Sequence, residues 1–335
     1  MATKNKTISA KREKISNHEP HKINPGTPLN LGIIDSIRVN RSAVERRAAT
    51  LGTRRSVKKQ WQAAWLLRAI SCIDLTTLAG NDTPGNVLRL CAKARQPLRG
   101  DLLENLGVSN LNLQVAAVCV YHNLIETAVS GLAASGIPVA AVSTGFPAGQ
   151  ISLEHKIQQI QTSMEAGASE IDIVISRGHV LTGNWEALYE EVCEYRKACG
   201  AVHMKTILAT GELATLANVA KASQVCMMAG ADFIKTSTGK ESVNATLPVS
   251  LVMVRAIRDY CEQTGYKVGF KPAGGIRKAK QALQWLILIK EELGNEWLNS
   301  KLFRFGASGL LSDIERQIEH QVTGRYSAFY RHPMA

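Results

Sequence analysis

From residue 71 onward the chain repeats one unit: a short, continuously apolar run, then an amphipathic stretch, often with glycine just before the next run. The runs fall at 72–75, 115–121, 139–143, 171–175, 202–208, 232–236, 267–271 and 302–305, mostly 25–35 residues apart. Several share a lead-in, as in Glu165-Ala166-Gly167-Ala168, Cys199-Gly200-Ala201 and Met228-Ala229-Gly230-Ala231. The stretches between them have helical spacing; Ile157, Ile160 and Met164 follow a capping Ser152. A strand that is apolar at every position is buried on both faces, the condition of parallel strands covered by crossover helices. Eight such βα units in about 250 residues predict an α/β fold of the (β/α)8 TIM-barrel class. An open doubly wound sheet is the alternative, but it wants Gly-x-Gly-x-x-Gly after the first strand, and the chain has none there.

Ahead of the barrel the composition changes. Residues 1–60 hold 14 Lys and Arg against four Asp and Glu, so they carry +10 of the net +12, and the remaining body is close to neutral. Residues 1–40 read as a basic, disordered arm, with Pro20, Pro25 and Pro28 interrupting any helix. Residues 41–70 read as an N-terminal helical cap in which Trp61, Trp65 and Leu66 fall at helical spacing. The barrel spans 71–322, and 323–335 form a C-terminal tail. No stretch approaches 18 consecutive apolar residues, which argues against a membrane span. No apolar block follows the N-terminal charges, so a secretory signal is not expected either. The seven cysteines are odd in number and show no Cys-x-x-Cys, which fits reduced thiols in a cytoplasmic protein, with the nucleus open because of the arm. Neither the cysteines nor the eight scattered histidines have the spacing of a metal site.

In a (β/α)8 barrel chemistry gathers where strands end and βα loops begin. Those positions here read Asp74, Cys119, Thr144, Asp172, Lys205, Lys235 and Lys271. Three lysines in otherwise apolar strands are unusual. Burial and mutual repulsion lower an amine's pKa and make it a nucleophile, while a neighbouring carboxylate such as Asp172 supplies acid/base function. Asp74 reads as a structural counter-ion and Cys119 as a core thiol. The turn Thr236-Ser237-Thr238-Gly239 after Lys235 has the hydroxyls and backbone N–H groups of an anion cradle. The loops after the last two strands carry Gly274-Gly275 and Gly306-Ala307-Ser308-Gly309, each opening a helix, where barrels commonly hold phosphate. Together these predict Schiff-base chemistry on a phosphorylated carbonyl compound. Residue chemistry alone does not choose between Lys235 and Lys271 as nucleophile.

Two segments, 232–240 (Asp-Phe-Ile-Lys-Thr-Ser-Thr-Gly-Lys) and 269–277 (Gly-Phe-Lys-Pro-Ala-Gly-Gly-Ile-Arg), resemble the signatures of the deoxyribose-phosphate aldolase family. Segments 73–76, 143–149 and 170–172 fit the same family, and the likeness runs from about residue 70 to about 326. Segments 204–208 and 306–308, with the basic extension, look like its eukaryotic branch. The resemblance implies a class I aldolase that cleaves 2-deoxy-D-ribose 5-phosphate reversibly to D-glyceraldehyde 3-phosphate and acetaldehyde, with no metal or cofactor. It implies that Lys235 forms the Schiff base, that Lys271 lowers its pKa and aids proton transfer, that Asp172 works with a water as acid/base, and that Lys205 supports the network. It also implies substrate contacts from among Asp74, Cys119, Thr144, Thr236, Thr238, Gly239, Gly274, Gly275, Gly306, Ser308 and Gly309. Two positions depart from or blur the pattern. His122 stands where the family usually has proline, and either Tyr326 or Tyr330 is the candidate for a C-terminal tyrosine near the phosphate.

Other readings keep the barrel. Another phosphosugar aldolase or a transaldolase would use the same imine on a different substrate. A binding protein would use the basic arm on RNA or another polyanion, although the arm has no aromatic residue before Trp61 for base stacking. The sequence leaves the oligomeric state open, a homo-oligomer included.

Overall fold

The apolar runs become eight parallel strands in a computed structural model that describes residues 23–332. They are β1 (Ile73–Thr76), β2 (Ala117–Val120), β3 (Val139–Val142), β4 (Glu170–Val174), β5 (His203–Ile207), β6 (Phe233–Lys235), β7 (Gly269–Lys271) and β8 (Phe305–Ala307). From β1 to β7 each pairs with the next in sequence, and β8 pairs with β1. Between β7 and β8 the seam closes through the bridges Phe270–Phe303 and Ala273–Gly306. There the Arg304 N–H donates to the Phe270 carbonyl at 3.0 Å, and the Gly306 N–H to the Pro272 carbonyl at 2.9 Å. The result is a (β/α)8 barrel whose strands are buried at nearly every position, as continuous apolarity requires.

The eighth strand lies later than 302–305. Leu302 and Phe303 are apolar because they pack into the core, but the ladder with β1 begins at the pair Ile73–Phe305. The expected helix between β3 and β4 forms at Leu153–Glu165, and the Ser152 hydroxyl accepts the His155 N–H at its start.

The cap region holds helices Arg41–Thr50 and Lys59–Ser71, the second running directly into β1. It docks through Ala63, Leu66, Leu67 and Ile70, whereas Trp61 is 66% exposed and takes no part. Two cap arginines are paired with one barrel helix, Arg47 with Glu292 at 2.9 Å and Arg55 with Glu291 at 2.7 Å, which accounts for part of the basic charge. Residues 1–22 of the expected arm lie outside the described residues, and with them the reading of an RNA-binding segment. Residues 24–36, assigned to the same arm, lie against the barrel. Asn24 is buried; its Nδ2 donates to the carbonyls of Met227 and Ala231, both at 2.9 Å, and a helix forms at Leu31–Ser36. Asn24 Oδ1 also accepts the Tyr260 hydroxyl at 3.1 Å, and such satisfied polar contacts at a buried Asn outweigh what the composition of the segment suggests.

Candidate active site

Register decides which strand-end groups meet. Residues level with one another in a parallel ladder face the same side. Lys235 is level with Lys271, and Asp172 with Lys205, so all four project into the barrel.

Inside, Asp172, Lys205 and Lys271 join three further groups, Asp74, Glu170 and Arg304, in a closed ring of alternating charge. Asp172 Oδ2 accepts Lys271 at 2.7 Å, and Lys271 Nζ lies 2.5 Å from Asp74 Oδ2. Asp74 Oδ1 accepts Arg304, whose other nitrogen donates to Glu170 Oε1 at 2.9 Å. Glu170 Oε2 accepts Lys205 at 2.5 Å, and Lys205 returns to Asp172 Oδ1 at 2.9 Å. Three anions thus alternate with three cations. Lys235 stands outside this ring and touches it at one point, Asp172 Oδ2, at 2.8 Å. Desolvation costs several kcal/mol per buried ion, so such a cluster is poor evidence of stability and better evidence of chemistry.

Each group's protonation follows from its partners. For Lys271 burial works against the charged form, but the Asp172 and Asp74 carboxylates outweigh it and hold the ammonium above the ordinary lysine value. Lys205 is raised in the same way, with Asp172 and Glu170 overcoming burial. Lys235 goes the other way. Burial lowers it, Asp172 alone does not restore it, and the Lys271 charge lowers it further. Burial would raise Asp172, yet Lys205, Lys235 and Lys271 together hold it well below the usual carboxylate range.

Above the ring opens a cavity of about 460 Å³. Lys235 lines it, whereas Lys205 and Lys271 are fully buried and do not. Geometry therefore separates the two lysines that the residue pattern left equivalent. The other walls include Thr238, Gly239, Gly274, Gly275, Gly306, Ser308 and Gly309, the predicted phosphate end. Gly274 has φ +81, and a Cβ there would lie 2.6 Å from the Asn244 side chain, so the loop needs glycine on both counts. Gly309 precedes the helix Leu310–Thr323, whose N-terminus favours an anion.

The cradle predicted after Lys235 is already filled. The N–H groups of Thr238 and Gly239 donate to the Glu241 carboxylate at 3.0–3.1 Å, and Lys240 N–H donates to Thr238 Oγ1 at 3.1 Å. Thr236 is also occupied: its hydroxyl accepts the Ala273 N–H at 3.0 Å and donates to the Ala273 carbonyl at 3.2 Å, stapling the loops after β6 and β7. Thr144 Oγ1 accepts the Val174 N–H at 2.6 Å and donates back to backbone carbonyls. Asp74 lies in the ring, below the cavity. Cys119 is buried with its thiol pushed up by burial and by Asp172. None of these four lines the cavity. His122 packs outside the barrel, Nδ1 2.9 Å from Ser163 Oγ. Tyr326 and Tyr330 are 93% and 82% exposed, and neither lines the cavity.

The sequence profile described as "DeoC/LacD family aldolase" matches residues 68–308. The chain belongs to this aldolase family. It is 62% identical over 312 residues to the deoxyribose-phosphate aldolase of Mus musculus, covering 92% of this chain and 98% of that protein. It is 60% identical over 314 residues to the deoxyribose-phosphate aldolase of Homo sapiens, covering 93% and 99%. Its fold matches the tetrameric deoxyribose phosphate aldolase of Aeropyrum pernix with a TM-score of 0.56, at 24% identity over 84% of this chain and 99% of that one.

Two ring members escaped the sequence reading. Arg304 sits in Phe303-Arg304-Phe305, a charge inside an apolar run, which is the same signal that marked the lysines. Glu170 lies two residues before Asp172, hence on the same face of β4.

Proposed function

We propose that this chain is a deoxyribose-phosphate aldolase, cleaving 2-deoxy-D-ribose 5-phosphate reversibly to D-glyceraldehyde 3-phosphate and acetaldehyde through a Schiff base on Lys235. The observation that carries this reading is that Lys235, alone of the three clustered lysines, lines the cavity and stands outside the charge ring. The neutral amine attacks the C1 aldehyde, and loss of water leaves a protonated imine. Removal of the C3 hydroxyl proton lets the C2–C3 bond break; its electrons move into the imine to give an enamine, and glyceraldehyde 3-phosphate leaves. Protonation at C2 restores the imine, and water releases acetaldehyde and the free amine. Asp172, through a water, and Lys271, which shares its Oδ2, exchange the protons, while Lys205 holds the other Asp172 oxygen. The loops 274–275 and 306–309 receive the phosphate, with Thr238 and Gly239 on the adjoining wall. Asp74, Cys119, Thr144 and Thr236 support these walls from behind. The substrate needs no nucleic acid or membrane partner, and among the described residues no helix is long and apolar enough to cross a membrane. A cytoplasmic setting fits the seven free cysteines, and a homo-oligomer fits the tetramer of the Aeropyrum pernix relative.

The test is turnover of the full chain on 2-deoxy-D-ribose 5-phosphate, with both products quantified. Release of acetaldehyde and glyceraldehyde 3-phosphate by the wild type, and not by a folded Lys235→Leu variant, is the expected result. Folded wild type that leaves this substrate intact, or cleaves only other sugar phosphates, overturns the proposal.

A further inference from the structure

Arg304 and its partner Glu170 are the ring members to which the reaction described above gives no part. Arg304 lies just ahead of β8, 5% exposed, and its guanidinium reaches from Asp74 on β1 to Glu170 on β4. We propose that Arg304 is a positioning residue that sets the charge state of Lys235: it supplies the third fixed cation against three buried carboxylates, so the cluster is neutral only while Lys235 carries no proton. This rests on the Schiff-base reading of Lys235.

The count is direct. Asp74, Glu170 and Asp172 are the anions; Lys205, Lys271 and Arg304 are the ring cations. A buried cluster with net charge is strongly disfavoured relative to a balanced one. Lys271 and Arg304 each contact two carboxylates and Lys205 contacts three, while Lys235 contacts one oxygen that it shares with Lys271. The last proton is therefore the one that Lys235 gives up. Without Arg304, three anions face two cations, and the amine regains its proton to restore balance. Arginine suits this role because its guanidinium does not lose its proton in the working range, whereas a buried lysine can. The planar fork also spans two carboxylates that a single ammonium would serve less well. Three other titratable groups adjoin the cluster. Cys72 and Cys119 keep their protons, since burial raises both thiols, and His203 lies outside the ring with Nδ1 3.6 Å from Glu170. Beneath the guanidinium the Phe233 ring, 5.9 Å from its carbon, adds no titratable group.

The test reads Lys235 without any substrate. Competitive acylation with acetic anhydride across pH, followed by peptide mass spectrometry, gives the midpoint at which Lys235 becomes a free amine. In Arg304→Met the midpoint rises by about one pH unit, the scale for removing a unit charge at about 10 Å in an effective dielectric of about 20. In Glu170→Gln it falls, and in Arg304→Lys it stays near the wild-type value. If Arg304→Met does not fold, Glu170→Gln and the charge-balanced Glu170→Gln/Arg304→Met pair decide, the latter returning toward the wild-type midpoint. A purely structural Arg304 lowers Tm and kcat but leaves the midpoint unmoved. Midpoints that stay within about 0.3 unit of wild type, or move in the same direction in Glu170→Gln as in Arg304→Met, overturn the proposal. Should the midpoints move as expected while the wild type leaves 2-deoxy-D-ribose 5-phosphate uncleaved, the substrate reading fails and the role of Arg304 stands.

Discussion

Replacing Asp172 with asparagine separates two effects that act in opposite directions on the same amine. Asp172 receives Lys205 at 2.9 Å, Lys235 at 2.8 Å and Lys271 at 2.7 Å. Asparagine keeps the shape but removes the charge and turns one oxygen into a donor facing an ammonium. The ring opens, leaving Lys271 with Asp74 alone and Lys205 with Glu170 at 2.5 Å and Asp74 at 3.7 Å. Removing one partner of a buried ion cluster costs about 3–5 kcal/mol, so Tm falls by roughly 10 °C, given about 2–4 °C per kcal/mol for a domain of this size. Lys235 loses the only carboxylate it touches, so its acylation midpoint moves down and the amine is more often free at neutral pH. By nucleophilicity alone, imine formation becomes easier. Turnover nevertheless falls, by about 10²–10⁴ in kcat, because the proton exchange at the substrate hydroxyl and at C2 is lost. The assay is paired: acylation midpoint and aldol cleavage on the same folded sample, checked by circular dichroism. A folded Asp172→Asn enzyme with kcat within tenfold of wild type, or with a raised midpoint, refutes the reasoning.

Further outcomes follow from the same geometry. Gly274→Ala forces a non-glycine residue to φ +81 and a Cβ to 2.6 Å from Asn244; strain of about 1–2 kcal/mol should raise KM for 2-deoxy-D-ribose 5-phosphate while leaving borohydride trapping of acetaldehyde, which has no phosphate, near the wild-type level. Asp172 and Glu170 are held below the usual carboxylate range, chiefly against burial, by Lys205, Lys235 and Lys271 for the first and Arg304 and Lys205 for the second. Groups with depressed folded-state values stabilise the protein above their unfolded pKa of about 4 and lose that contribution as pH falls through the folded value. Tm attributable to them should be level from pH 7 to 5 and decline below about pH 4; an unchanged Tm between pH 5 and pH 3 contradicts this.

The fold was legible because parallel strands leave a plain trace, eight runs without polar alternation. What the runs could not show is where pairing begins. Leu302 and Phe303 look like strand yet serve the core, and β8 starts at Phe305 because β1 is its partner there. Of the expected cap stripe, Leu66 is buried and Trp65 packs against the core, whereas Trp61 turns outward and Ala63, Leu67 and Ile70 complete the docked face. At the site, charges in apolar strands pointed to the lysines and aspartates. The same rule, applied to Phe303-Arg304-Phe305, reaches Arg304. Sequence cannot say which backbone donors are taken, so Thr238 and Gly239 looked open although Glu241, a few residues on, fills that turn. Nor can it rank Lys235 and Lys271. That difference is made by the Asp74 contact, which Lys271 has in addition to Asp172, and by the cavity, which only Lys235 of the two lines.

The central claim is that Lys235 carries the imine. Borohydride reduction of the full-length protein in the presence of 2-deoxy-D-ribose 5-phosphate, followed by peptide mass spectrometry, tests it most directly. A reduced adduct on the peptide bearing Lys235, absent in Lys235→Leu and retained in Cys119→Ala, is the predicted result. An adduct on Lys271 instead would contradict the assignment, and no adduct on any lysine would contradict Schiff-base chemistry in this barrel.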